Sequence, residues 1–79
     1  AEVDWVLEDD RGKLVGVEVK ATTTPTAGDF KGLRAFAARV GGRFHRGVVL
    51  HTGQSTVPMG SDLWAMPMDA LWRLTTDEF

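Results

Sequence analysis

Two short alternating runs, EVDWVLE at residues 2–8 and LVGVEVKA at 14–21, flank the turn formers Asp9, Asp10, Arg11, Gly12 and Lys13. Alternation of apolar and polar residues is the pattern of a strand with one covered face, and two such runs joined by a short polar loop form a hairpin. No other feature of the chain constrains the fold as much, because loop length sets register. With residues 9–13 as the loop, Glu8 opposes Leu14, and counting back along both strands sets Asp4 against Glu18. In the first strand Val3, Trp5 and Leu7 are expected on one face, with Glu2, Asp4 and Glu8 on the other, where Val6 is an apolar exception. In the second, Val15, Val17 and Val19 are expected to face the core.

That register carries a chemical expectation. Directly opposed strand residues point to the same side with Cβ atoms about 4.5–5.5 Å apart, so the Asp4 and Glu18 carboxylates are expected to meet. Lys20 returns to the same face one pleat further on. Two carboxylates this close repel unless something positive lies between them. Mg²⁺ or Mn²⁺ meets that need, since both prefer oxygen ligands and are commonly held by one or two carboxylates together with substrate phosphates. The plainer alternative is a solvated strand face on which Lys20 offsets one carboxylate.

Beyond the hairpin, TTTPTAGD breaks both periods, and Thr26 with Asp29 has the spacing of a capping box. A helix is expected over 27–40, burying Phe30, Leu33, Ala37 and Val40 and stopped by Gly41-Gly42. FHRGVVLH at 44–51 reads as an interior strand, parallel to the hairpin's second strand and reached by a right-handed crossover. TGQSTVPMGSD is a loop, LWAMP at 63–67 a short strand, and MDALWRL a last short helix. The expected fold is α/β with the order β-β-α-β-β-α in one domain, 1–79. The absence of a starting methionine points to a piece of a longer protein.

Composition narrows the function classes. The 79 residues include no cysteine, which excludes disulfides and thiolate metal sites, and a reducing, cytoplasmic setting is the expectation. No apolar run approaches the roughly 20 residues of a membrane-spanning helix. The loop TGQST has a glycine and hydroxyls but no P-loop lysine, so it is not read as a phosphate cradle.

Taken together, Asp4 followed at a distance by Glu18-Val19-Lys20 resembles the D…(D/E)xK motif of the PD-(D/E)xK, or restriction-endonuclease-like, superfamily. The run EVDWVLEDDRGKLVGVEVKA, the helix with GLRAFA, and RGVVLHTG followed by LWAMPMDALW resemble the C-terminal domain that follows the ATPase core in many bacterial and archaeal AAA-type ATPases. Val3 stands where the proline of the motif's name would be, and the superfamily's upstream acidic helix and first strand have no counterpart here. The resemblance implies a truncated restriction-endonuclease-like core and a metal-dependent nuclease. In it Asp4, Glu18 and Lys20 would be catalytic, with Mg²⁺ or Mn²⁺ on Asp4, Glu18 and the Val19 carbonyl. It also implies an AAA ATPase domain upstream in the same chain. The competing class is a binding module of the same fold with a degenerate site, acting on DNA or protein. A third reading has the exposed hairpin edge pairing with another copy as a homodimer.

Other residues have plainer roles beside the functional ones. From 31 to 46 the charged residues are all basic: Lys31, Arg34, Arg39, Arg43 and Arg46. They are candidates for nucleic-acid phosphates, or else the solvated face of the helix and its following turn, or a protein-partner surface. His45 and His51 are expected to share a strand face too far apart for one ion, with His51 read as a surface histidine near the candidate site. Trp5, Trp64 and Trp72 are read as core or rim aromatics.

Overall fold

The computed structural model describes residues 3–70. Strand β1 (Trp5–Glu8) and strand β2 (Leu14–Val19) form the expected hairpin, with Glu8 opposite Leu14 and Trp5 opposite Val17. A 3-10 turn at Ala27–Phe30 runs into helix α1 (Lys31–Val40). A second 3-10 turn, Gly41–Arg43, leads to β3 (Phe44–His51). The chain continues through β4 (Val57–Pro58) and β5 (Leu63–Pro67) to a 3-10 turn at Met68–Ala70. Of the expected last helix, only this turn falls within the described residues. Trp72 lies outside them.

The sheet order is β1-β2-β3-β5-β4. β2, β3 and β5 run parallel, and an antiparallel strand closes each edge, β1 on one side and β4 on the other. β3 is therefore parallel to β2 and reached through α1, as expected. β4 falls inside the expected loop TGQSTVPMGSD: two residues are too few for a periodic signal, and Pro58 is a residue that belongs only at a sheet edge.

The helix begins where the capping pair placed it, with the Thr26 N–H donating to Asp29 Oδ2 at 2.9 Å. It ends at Gly41, whose φ of 60° is a conformation that favours glycine. Its inner face buries Phe30 and Leu33 completely against Val49, Leu63 and Ala65. Each such side chain contributes about 1.5–3 kcal/mol of transfer free energy. On the opposite face of the sheet Val15 and Val17 pack with Val48 and Leu50. Both faces are covered, which is why β3 reads as a continuous apolar run.

Four expectations need correction. β1 is not half-buried: all its residues are exposed, Trp5 and Val6 at 47% and Leu7 at 41%, because it is an edge strand. Its alternation also breaks at a bend on Asp4, so Val3 packs with the helix-side cluster and not beside Trp5. The face opposite the valines is not open, since Gly16 on that face lies under Leu33 and Phe36 of the helix. Lastly, the β2–β3 register shifts between Leu14 and Val15, where Phe44 and Arg46 are the successive partners. Phe44 joins the helix-side cluster while Val48 and Leu50 lie on the other face, so equal spacing no longer puts His45 and His51 on one face.

Candidate functional site

Ladder pairing between β1 and β2 stops at Trp5 and Val17, one residue short of the expected Asp4–Glu18 opposition. The bend frees the Asp4 side chain to turn along the sheet edge. Its Oδ2 accepts the Val19 N–H at 2.8 Å, completing for the backbone of β2 a hydrogen bond that β1 no longer supplies. The N–H and C=O of one strand residue point the same way, so the Val19 carbonyl is directed to the edge that Asp4 occupies.

Glu18 projects from the helix-side face, and its side chain is only 16% exposed. Its Oε2 lies 3.6 Å from Lys20 Nζ, with Lys20 held in line by its own N–H donating to Leu50 O. Glu18 and Lys20 open into a cleft shared with Asp29 and Lys31 at the start of the helix, where Gly28 and Gly32 leave room. Asp4, Glu18, the Val19 carbonyl and Lys20 thus gather at the carboxyl end of β2. This is the end of a parallel sheet at which α/β folds bind ligands. Among the described residues no group of three His, Cys, Asp or Glu side chains is placed to hold a metal ion.

The basic run does not form one surface. Lys31 faces the Glu18–Lys20 cleft. Arg34 donates to Ala27 O at 2.9 Å and lies over the Phe30 ring, bracing the helix start. Arg43 clamps the hairpin turn, donating from Nε to Gly12 O at 2.9 Å and from Nη2 to Glu8 Oε2 at 3.0 Å. Lys13 returns the contact with Gly42 O. Arg46 sits near Trp64, which pairs with Val48 of the valine face, and Arg39 lies in the last turn of α1.

A family model described as "Domain of unknown function (DUF4143)" matches residues 1–71. The chain belongs to that family. No curated protein and no solved structure matches it significantly. The comparison gives the DUF4143 domain a family and no activity, and the structure adds, among the described residues, a mixed five-stranded α/β sheet.

One functional-looking residue of the DUF4143 domain is placed differently from its sequence reading. His51 is not on the surface; it is 2% exposed. The Gly53 N–H donates to its Nδ1 at 3.0 Å, so that nitrogen is an acceptor. The proton therefore sits on Nε2, which donates to Ser55 O at 2.8 Å. Both ring nitrogens are spent in pinning the loop after β3. That loop is tied in turn to the one after β2, through Thr52 N–H to Thr22 O. Gly53 has no room for a side chain, since a Cβ there would collide with Thr23 O. The sequence signal for this arrangement was His-Thr-Gly directly after an apolar strand, a histidine two residues before a glycine.

Proposed function

We propose that this DUF4143 domain is a metal-dependent phosphodiesterase domain of restriction-endonuclease-like type, working beside an AAA-type ATPase domain of the same protein. The supporting observation is the Asp4 carboxylate on the Val19 N–H, a contact spanning 15 residues of sequence that draws Asp4 to the Glu18-Val19-Lys20 segment. DUF4143 domains are commonly found with AAA ATPases, which supports the second half of the reading.

The donor set fits a hard divalent cation. Asp4 keeps Oδ1 beyond the oxygen bonded to Val19, Glu18 offers a carboxylate, and the Val19 carbonyl faces the Asp4 edge. Asp4 and Glu18 with that carbonyl would hold Mg²⁺ or Mn²⁺, which when bound supplies Lewis acidity toward a phosphodiester. The chain's own groups do the rest. Lys20 Nζ, on the Glu18 side of the cleft, stabilises negative charge developing on phosphorus oxygens. Lys31, across the same cleft, binds a neighbouring phosphate of the nucleic-acid strand.

A specific observation favours the second reading, a degenerate site on a DNA- or protein-binding platform. One Asp4 oxygen is committed to the backbone, and no three-residue ligand group is assembled among the described residues. A Mn²⁺ titration of the isotopically labelled chain separates the two. Selective paramagnetic broadening at residue 4 and at 18–20, absent in Glu18→Ala, is expected for the enzyme. Uniform or no broadening would leave the platform.

A further inference from the structure

β3 runs apolar through Val48, Val49 and Leu50 and then ends on a histidine that is 2% exposed. An apolar residue would finish that run without burying two ring nitrogens, whose desolvation only hydrogen bonds offset. The bonds are therefore what sets histidine apart from leucine at this position. His51 donates to Ser55 O and accepts from the Gly53 N–H, which folds the chain after β3 back over the strand's own last residue.

The residue beside His51 is Lys20. The β2–β3 register pairs Glu18 with Val49 and Val19 with Leu50, and one further step sets Lys20 against His51. β2 itself ends at Val19, and the Lys20 side chain is 39% exposed, so burial does not hold it. Backbone bonds do. The Lys20 N–H donates to Leu50 O, the Thr22 N–H to Lys20 O and the Thr52 N–H to Thr22 O, each at 2.9 Å. The β3 side of this set comes from Leu50 and Thr52, the two residues flanking His51. Just beyond them, Gly53 lies against the Thr23 backbone more closely than any Cβ would allow.

We propose that His51 is a positioning residue for Lys20. By folding residues 52–55 back, it fixes the Thr52 N–H that holds Thr22 and, through Thr22, the backbone of Lys20 beside Glu18. This role rests on the reading of Lys20 as the group that stabilises charge on a phosphodiester, and His51 itself touches no substrate. Glu18 and Val19 lie within the β2 ladder, and Asp4 is bonded to the Val19 N–H, so none of these three depends on the loop after β3. Freeing that loop shifts Lys20 and leaves the cation's ligands in place. A displacement of about 1 Å in a reacting group costs up to about a hundredfold in rate.

Two substitutions divide the bonds of the histidine. His51→Asn places an oxygen near the position of Nδ1 and keeps an acceptor for the Gly53 N–H, while falling short of Ser55. His51→Gln extends its amide toward Ser55 O and leaves the Gly53 N–H without its acceptor. His51→Gln is expected to speed amide exchange at Lys20 and Thr52 by roughly threefold to tenfold, the effect of one lost hydrogen bond, with Val48 and Val49 unchanged. With Mn²⁺ and bis(p-nitrophenyl) phosphate its kcat should fall about tenfold to a hundredfold at nearly constant KM. His51→Asn should recover most of both, and Mn²⁺ broadening at residues 4, 18 and 19 should be the same in all three proteins. Equal exchange at Lys20 in the wild type and both variants overturns the proposal, as does an active wild type whose kcat neither variant lowers. Exchange raised across every strand in both variants also overturns it, because His51 would then hold the sheet as a whole. A wild type that does not hydrolyse the ester, with the exchange difference at Lys20 present, ends the phosphodiesterase reading and supports the holding of Lys20 by His51.

Discussion

The two ends of β2 both collect charged groups, and they use them differently. At the turn end, Glu8, Asp9, Lys13 and Arg43 are exposed; Asp9 accepts two N–H groups within the turn, and Glu8, Lys13 and Arg43 bond between the hairpin and the end of the helix. At the carboxyl end, Glu18 is mostly covered, Lys20 lies at 3.6 Å rather than in close contact, and Asp4 spends one oxygen on a backbone N–H. The turn end is saturated by its own geometry. The carboxyl end has an ion pair beside a cleft, on loops tied by backbone bonds and a buried histidine. A binding site needs its groups held in place by such supports, whereas the turn end needs only to hold its shape.

The largest effect on this comparison is expected from Gly53→Ala. The added methyl must displace Thr23 backbone, not a flexible side-chain tip, so the loops after β2 and β3 separate. A loss of about 1–3 kcal/mol is expected by chemical denaturation. A change within a few tenths would show that the carboxyl-end loops are not mechanically coupled.

Asp4 gives the next largest effect, and a way to separate its two roles. Asp4→Ala leaves the Val19 N–H without its acceptor and should cost about 1 kcal/mol. Asp4→Asn keeps a carbonyl oxygen in that place and should recover most of the stability while still losing the Mn²⁺ response. Equal Mn²⁺ responses in the wild type and the Asn variant would make Asp4 a structural residue only.

Arg43→Ala tests the saturated end. Its side chain is 56% exposed and that of Glu8 is 53% exposed, so the expected cost is about 0.2–1 kcal/mol, shrinking with added salt. The Mn²⁺ response should be untouched. A cost above that of Asp4→Ala would reverse the ranking of the two ends.

How much of this was legible in the sequence depended on whether the signal was periodic. The β1–β2 register from Glu8–Leu14 to Trp5–Val17 followed from loop length, and the burial of Val48, Val49 and Leu50 followed from their being a continuous run. The capping pair Thr26–Asp29 and the stop at Gly41 were legible because local backbone chemistry repeats from protein to protein. The bend at Asp4 was not legible, since one side chain bonding to backbone 15 residues away leaves no pattern. Nor was the register shift beside His45, since a bulge leaves no mark in the spacing of side chains. For the candidate site, the gathering of residues 4 and 18–20 was legible. Its detail was not: the expected face-to-face carboxylates became one carboxylate at the edge and one beneath the helix.

The smallest effect concerns Asp9, and it is read by pH. Its Oδ1 accepts the N–H groups of Lys13 and Arg11, each at 2.9 Å. The Lys13 N–H is the chief cause of a carboxyl pKa below the ordinary aspartate range, with the Arg11 N–H and the charges of Arg11 and His45 adding to it. A group whose pKa is lower in the folded state binds its proton more readily when unfolded. Its stabilising contribution is therefore complete above the unfolded value and is lost as pH falls through the folded one. Asp9→Asn retains an acceptor for the turn but cannot titrate. The stability gap between wild type and Asp9→Asn, followed by denaturation from neutral pH downward, should stay constant to the ordinary aspartate range and then move in the variant's favour. A gap that changes near neutral pH instead would place the titrating group elsewhere and end the description of the turn as electrostatically self-contained.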